Sequence, residues 1–258
     1  MKNYIYILLA SSVMIFSCQE EKAKPKVKYT GKEAKSLQKD TTKLEVADLP
    51  IQFEGSNVLV YAIGNLTVGD INRKGSYESA SAYEGVSGFH VSNSMENEIT
   101  GYLQNLKFQE IGSDSLYVLS DKVLQIERVS YLKNNKMLVY VLADADTNQD
   151  AMIDSNDIKS LYISSELGKN FTKISTELQE LIDWKHIESS NKLFFRTIED
   201  ANKNGEFDKK DRIHYHVVNL KDNKVSEYFP LSIIRKSNYC DKPFRLSYTI
   251  NIGRALLN

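Results

Sequence analysis

The residues best suited to chemistry are oxygen-bearing side chains that recur at one spacing in two stretches, 146–157 and 200–211. Both stretches read Asp-x-Asn-x-Asp/Asn-Ala/Gly-x-apolar-Asp-x-x-Asp, so side-chain oxygens stand at positions 1, 3, 5, 9 and 12. Calcium takes about six to eight hard oxygen ligands, and a loop with this spacing folds around one ion. The spacing therefore predicts two calcium-binding loops, here called loop 1 (146–157) and loop 2 (200–211).

Both loops resemble the calcium loops of EF-hand and dockerin proteins, and Asp at position 12 is closer to the dockerin form. The resemblance implies side-chain ligands together with one backbone carbonyl at position 7 of each loop. The ligands implied for loop 1 are Asp146, Asn148, Asp150, the carbonyl of Met152, Asp154 and Asp157. The ligands implied for loop 2 are Asp200, Asn202, Asn204, the carbonyl of Glu206, Asp208 and Asp211.

The two loops differ at position 6 and in charge. Loop 1 has four carboxylates among its side-chain ligands but Ala151 at position 6, where the turn prefers a residue tolerant of positive φ. Loop 2 has Gly205 at that position but only three carboxylates. The alternative for each is an acidic turn that binds no ion, since Asn, Asp and Gly are ordinary turn residues.

The segments that flank each loop are short, rich in β-branched and aromatic residues and bounded by turn residues, as strands are. They are 136–142, 160–164, 192–198 and 213–218. In EF-hand and dockerin proteins a helix follows the loop, whereas here each loop is predicted to join two strands of a hairpin. Calcium at such a connection is expected to be structural, because it would neutralise crowded carboxylates.

The rest of the chain also favours strands. Further strand candidates are 58–63, 88–92, 99–103, 116–119 and 123–129. Helical periodicity is best at 175–184. Residues 48–258 are therefore predicted to form one all-β domain.

A longer repeat surrounds the loops. The order of aromatic residue, turn with Asn-Lys and strand in 129–140 returns in 182–195. This order resembles the blades of TolB-like β-propellers, and a repeat of about 50 residues suits a four-stranded blade. The resemblance implies a small or irregular β-propeller-like repeat of antiparallel hairpins. A twisted β-sandwich is the alternative.

The N-terminus carries a secretion signal. Lys2, an apolar run and a small residue precede Cys18, so 1–17 is predicted to be a signal peptide. The sequence Ile-Phe-Ser-Cys at 15–18 resembles a bacterial lipobox, which implies lipidation of Cys18 and attachment to a membrane. The next residues, 19–22, resemble the acidic export signal of surface lipoproteins in Bacteroidota. These resemblances imply an outer-membrane lipoprotein of the bacterial cell envelope, with surface exposure favoured.

Residues 18–47 are predicted to be the lipidated cysteine and a flexible charged linker, because lysines and scattered acids leave few apolar side chains to bury. If Cys18 carries lipid, Cys240 has no partner within the chain for a disulfide. A near-balance of 33 basic and 34 acidic residues argues against a nucleic-acid partner. No glycine-rich loop opens a helix, so no nucleotide site is predicted.

Enzyme signatures are sparse. No HExxH motif occurs, and His214 and His216 share one face of a predicted strand without an evident third metal ligand. The sequence therefore favours a non-enzymatic calcium-binding lipoprotein that presents a β scaffold to a protein or glycan partner. A calcium-dependent hydrolase or lyase acting on polysaccharide or peptide is the alternative.

Overall fold

The structure is a computed structural model that describes residues 25–29, 37, 43–67 and 91–230. The predicted signal peptide (1–17), Cys18 and Cys240 lie outside these residues. The chain divides into two units, Met1–Tyr228 and Phe229–Asn258, and every described strand belongs to the first. Over the described ranges, no helix is long and apolar enough to cross a membrane.

The described residues form strands joined by turns and loops, with two single 3-10 turns at Lys133–Asn135 and Glu188–Ser190. The strands are β1 Lys43–Ala47, β2 Ile51–Gln52, β3 Val58–Thr67, β4 Val91–Ser92, β5 Glu98–Leu103, β6 Asn105–Glu110, β7 Leu116–Val118, β8 Gln125–Leu132, β9 Met137–Ala143, β10 Lys159–Ser165, β11 Thr172–Lys173, β12 Gln179–Ile187, β13 Lys192–Glu199, β14 Arg212–Asn219 and β15 Lys224–Glu227.

These strands build three antiparallel sheets. The first has the order β1-β3-β6-β7, with β2 also paired to β3. The second has the order β11-β10-β9-β8-β5-β4, and the third has the order β12-β13-β14-β15. The predicted all-β class with antiparallel hairpins is therefore confirmed.

The middle of the second sheet, at β9 and β10, is buried on both faces. Along β9, Tyr140 packs in a core shared with the first sheet, where Phe108 is fully buried. Its neighbour Val139 packs instead with Leu161 of β10 and Phe195 of β13 in a second core. Successive side chains of a strand point to opposite faces, so β9 supplies both cores. This explains why its sequence is an unbroken apolar run.

The repeat seen in the sequence is structural. Strands β8 to β11 and strands β12 to β15 are successive four-stranded meanders. In each meander the first strand has a register shift, between Ile126 and Arg128 in β8 and between Leu181 and Asp183 in β12. In each, a 3-10 turn then ends on one left-handed residue, at Lys136 (φ 49°) and at Asn191 (φ 52°). The two meanders thus share their irregularities as well as their strand order.

The segment with the best helical periodicity, 175–184, is not a helix, because β12 begins at Gln179. The sequence places Leu178, Leu181 and Ile182 at helical spacing, but only Leu181 is buried. Leu178 is 46% exposed and has φ 57°, and Ile182 is 42% exposed. Gln179 is buried instead, where its Oε1 accepts a 2.6 Å hydrogen bond from Thr197 Oγ1 of β13. A buried polar pair, which periodicity does not detect, fixes this segment as a strand.

The predicted linker 18–47 differs from the structure at two places. Residues Lys43–Ala47 form β1 and pair with β3. Farther upstream Val27 is only 3% exposed. Both parts of this stretch bind through backbone hydrogen bonds, which need few apolar side chains. The composition of the stretch therefore does not reveal these contacts. Of the other strand predictions, 58–63 lies within β3 and 99–103 lies within β5, whereas 88–90 of the predicted strand 88–92 falls outside the described residues.

Candidate metal sites

Each predicted calcium loop joins two paired strands, as expected. Loop 1 connects β9 to β10, whose register pairs Ala143 with Lys159. Loop 2 connects β13 to β14, whose register pairs Glu199 with Arg212. All the predicted loop ligands therefore lie at the connections of two hairpins, one in the second sheet and one in the third.

Loop 1 is held by hydrogen bonds from its backbone to its own acidic side chains. Position 1, Asp146, accepts from the N–H of Asp150 at 3.1 Å and of Ala151 at 2.8 Å. Position 12, Asp157, accepts from the N–H of Thr147 at 2.7 Å through Oδ1 and of Asp154 at 2.9 Å through Oδ2. The side chains at positions 1 and 12 thus bind backbone amides near both ends of the loop.

Loop 2 repeats this arrangement with different residues. Asp200 accepts from the N–H of Asn204 at 3.2 Å and of Gly205 at 2.6 Å. Asp211 accepts from the N–H of Ala201 at 3.1 Å through Oδ1 and of Asp208 at 2.7 Å through Oδ2. The amides at positions 2, 5, 6 and 9 therefore have the same acceptors in both loops.

Positions 3 and 5 also correspond. Asn148 and Asn202 each accept through Oδ1 from the N–H at position 5, at 2.9 Å in both loops. The side chains at position 5, Asp150 and Asn204, accept from the N–H at position 7 at 2.9 and 2.8 Å. Two loops with different sequences between the ligand positions have adopted one conformation.

The charge of the loops is partly buried. Asp157 is fully buried, Asp200 is 3% exposed and Asn148 is 7% exposed. Burial raises the pKa of the Asp157 carboxyl, although hydrogen bonds from Asp154 and Thr147 oppose the shift. Of the ion pairs that the described residues form with one another, none includes a loop ligand. A cation therefore suits the charge of these loops.

The donors are hard oxygens from Asp, Asn and backbone carbonyls, so their chemistry fits calcium. Within the part of the chain that the structure describes, however, no three His, Cys, Asp or Glu side chains converge as a metal-binding group. Two of the side-chain ligands predicted for loop 2, Asn202 and Asn204, are amides and do not belong to those four residue types. The carboxylates at positions 1 and 12 are directed to backbone amides, and an ion would use their remaining lone pairs.

Position 6 is left-handed in both loops, with φ 76° at Ala151 and φ 87° at Gly205. A Cβ on Gly205 would also collide with the carbonyl oxygen of Val27 and would lie 2.9 Å from Pro25 Cβ. We expect Gly205→Ala to destabilise the protein by about 1–3 kcal/mol. Ala151→Gly removes strain at the equivalent position and is expected to raise stability by up to about 1 kcal/mol. Urea unfolding of both variants measures the two effects, and equal effects of the same sign would contradict the expectation.

The 25–29 segment, which sequence reasoning placed in the linker, contacts both loops. The N–H of Lys26 donates to the carbonyl of Gly205 at 2.8 Å, and the N–H of Lys28 donates to that of Thr147 at 3.0 Å. Burial and the neighbouring carboxylate of Asp200 raise the pKa of Tyr29 to about 12. No motif marks this segment. Its apolar residues are Pro25, Val27 and Tyr29, and lysines stand between them, so the sequence does not indicate a buried contact.

A second polar cluster that the sequence did not reveal lies at the base of loop 1. Asp144 accepts hydrogen bonds from Tyr162 Oη at 2.7 Å, Ser160 Oγ at 3.1 Å and Lys173 Nζ at 2.9 Å. Burial alone would raise the pKa of the Asp144 carboxyl, but Lys173 and Tyr162 hold it below its usual value. The cluster joins the end of β9 to β10 and β11.

Removing the charge of this cluster is expected to destabilise the fold. The Asp144–Lys173 pair is 15–17% exposed, and loss of one partner of a buried pair costs about 3–5 kcal/mol. We expect Asp144→Asn to cost about 2–3 kcal/mol, because Lys173 keeps its pair with Glu177. The control is Asp183→Asn, which breaks the exposed Arg196–Asp183 pair and is expected to cost under about 1 kcal/mol. Equal losses of unfolding free energy in the two variants would contradict this role.

The two histidines of β14 lie side by side, with ring centroids 6.1 Å apart. His214 lies between two carboxylates, 2.9 Å from Glu199 and 2.8 Å from Glu227. His216 is 4% exposed and shares a 3.1 Å hydrogen bond with Thr197. Neighbouring strands therefore supply a hydrogen-bond partner to each histidine.

Acidification is expected to destabilise the protein through His216. Burial lowers the pKa of His216 in the folded state, so the unfolded chain, with a His pKa of about 6.5, binds the proton first. The stability contribution is present above about pH 6.5 and is lost as the pH falls through the folded-state pKa, by at most about 1.4 kcal/mol per pH unit. Unfolding in urea with EDTA at pH 7.5 and 5.5 measures it. His216→Gln should reduce the pH dependence, and an unchanged slope would exclude His216 as its source.

No protein-family model matches the chain, and no curated protein matches its sequence.

Proposed function

We propose that the protein is a calcium-binding, membrane-anchored lipoprotein without enzymatic activity, which presents a β scaffold to a protein or glycan partner. The observation that carries the proposal is the pair of loops, which share ligand spacing, position in a hairpin and internal hydrogen bonds. In both loops the last predicted ligand, Asp157 or Asp211, accepts two or more backbone N–H bonds, which hold position 12 next to position 2 of the loop.

The proposed role of calcium is structural. Bound calcium would supply positive charge to the carboxylates of loops 1 and 2, which repel one another when they are gathered in a loop. Once the ion balances the charge of the carboxylates, the hairpin connections would hold β9 against β10 and β13 against β14. The protein's own residues do the positioning, through the amides that bind Asp146, Asp157, Asp200 and Asp211.

We further propose that the domain is a small, propeller-like repeat. The support is that strands β8 to β11 and β12 to β15 are consecutive four-stranded meanders, the unit of a propeller blade. The shared core residues Val139 and Phe195 pack these meanders against each other. A crystal structure of the full chain tests this proposal: sheets arranged around a central axis would support it, and two facing sheets would favour the β-sandwich.

Calcium titration followed by calorimetry tests the central claim. The full chain, purified in detergent, is expected to bind two calcium ions, and Asp146→Ala and Asp200→Ala are each expected to bind one. Magnesium at the same concentration is the control, because it demands a stricter octahedral shell. A wild-type chain that binds no calcium would exclude the proposed sites. Labelling with palmitate, compared between the wild type and Cys18→Ser, tests the membrane anchor.

A further inference from the structure

The 25–29 segment lies across both calcium loops. Within three consecutive residues, the N–H groups of Lys26 and Val27 donate to the carbonyl of Gly205 at 2.8 and 3.3 Å, and the N–H of Lys28 donates to the carbonyl of Thr147 at 3.0 Å. Gly205 is position 6 of loop 2, and Thr147 is position 2 of loop 1. The two loops therefore share one backbone partner that belongs to neither hairpin.

Side chains fix the segment in this place. Thr147 Oγ1 donates to the carbonyl of Lys26 at 2.8 Å, and Gln149 Nε2 donates to the carbonyl of Lys28 at 3.0 Å. Val27 is 3% exposed. The ammonium of Lys26 lies 2.7 Å from Glu180 of β12, so it does not neutralise a loop ligand.

The two residues whose carbonyls accept from the segment, Gly205 and Thr147, also donate their own N–H groups to predicted ligand residues. The N–H of Gly205 donates to Asp200 Oδ2 at 2.6 Å, while the carbonyl of the same residue accepts from the segment. The N–H of Thr147 donates to Asp157 Oδ1 at 2.7 Å, while its carbonyl also accepts from the segment. An ion that orders Asp200 or Asp157 is therefore expected to order the residues whose carbonyls the segment uses.

Glycine at position 6 of loop 2 is required by this contact. A Cβ at residue 205 would overlap the carbonyl oxygen of Val27, so a larger residue would exclude the segment from the loop. At position 6 of loop 1 the chain has Ala151 in the same left-handed conformation. The difference matches the contacts, because the segment meets loop 1 at position 2 instead.

We propose that the 25–29 segment is a calcium-dependent clasp, which docks when the loops hold calcium and which makes binding at the two loops cooperative. The proposal rests on the calcium sites proposed above. Calcium in one loop orders the carbonyl that receives the segment, and the docked segment then orders the acceptor of the other loop. Without cations, repulsion between the carboxylates loosens both acceptors and releases the segment.

Two measurements on the full chain in detergent test the clasp. The first is hydrogen exchange of the amides of Lys26 and Lys28 by mass spectrometry, in EDTA and in excess calcium chloride. Calcium is expected to slow exchange of these amides about tenfold or more, since docking pairs them with loop carbonyls. Equal protection with and without calcium, in a chain that binds two ions, would overturn the clasp and leave the calcium sites intact.

The second measurement is calorimetric titration with calcium. The wild type is expected to show positive cooperativity, with the second ion bound about 5- to 150-fold more tightly than in an uncoupled chain. Val27→Asp should abolish the cooperativity but keep two sites. The control is Val123→Asp at a valine that is 56% exposed. Gln149→Ala, at a side chain that is not a predicted ligand, provides a milder second variant should Val27→Asp not fold.

The outcomes separate the two proposals. Two independent, non-cooperative sites in the wild type would overturn the clasp but support calcium binding. Unchanged cooperativity in both Val27→Asp and Gln149→Ala would also overturn the clasp, since the coupling would then run elsewhere. A wild type that binds no calcium would exclude the loop sites and the clasp together.

Discussion

Calcium at a free concentration about 100 times its Kd is expected to stabilise the full chain by about 2.7 kcal/mol for each loop. For a domain of this size that corresponds to a rise in Tm of about 5–10 °C for each loop. The physical reason is linkage: an ion that binds the folded loops and not the unfolded chain must favour folding. Fluorescence of Trp184, the single tryptophan, reports the melt, since this residue packs against the core between the second and third sheets.

The variants Asp146→Ala and Asp200→Ala should each remove about half of the calcium-induced rise. Each also removes acceptors for two loop amides, so both will lower Tm in EDTA. The informative quantity is therefore the difference in Tm between calcium and EDTA for each variant. Asp121→Ala, at an exposed aspartate outside both loops, should keep the full difference. The loops would be turns without ions if no variant changed that difference.

The variant Leu161→Ala is expected to lower the free energy of unfolding by about 2–5 kcal/mol, which lowers Tm by about 4–20 °C. Leu161 of β10 is fully buried in the core that joins the second sheet to the third. Truncation loses apolar burial and leaves a cavity, because Val139, Leu193 and Phe195 around it can relax only in part. Urea unfolding gives the free energy directly.

The matched control is Leu116→Ala, at a leucine of β7 that is 55% exposed. This variant is expected to change stability by no more than about 0.5 kcal/mol. If both leucine variants lost similar free energy, the second core would not stabilise the meanders as described. The layered arrangement of the second and third sheets depends on that difference.

Local composition was sufficient to predict the strands whose own side chains favour a strand. The β-branched and aromatic residues of 136–142 predict a strand, and β9 (Met137–Ala143) is that strand. The composition of the flanking segments placed both loops at hairpin connections, which the structure has. The ligand roles of the loop residues stay a prediction from local spacing.

What could not be predicted depends on partners distant in sequence. Gln179 forms part of a strand because Thr197 of β13 is its buried partner, whereas the leucines at 178 and 181 imitate a helix. Asp144 gains its role from Lys173, a residue that no spacing rule connects to it. The 25–29 segment binds mainly through its backbone amides, and every residue except proline carries such a donor.

If Cys18 carries the proposed lipid, docking of the 25–29 segment also limits the distance between the domain and the membrane. Between Cys18 and Pro25 the chain spans at most about 25 Å, whereas from Cys18 to β1 it could span about 85 Å. With the proposed lipid on Cys18, the docked segment leaves only a short tether, which would keep the two proposed calcium loops close to the lipid headgroups. Release of the segment would make this tether more than three times longer. Calcium would then control the distance between the domain and the membrane, and the direction in which the domain faces.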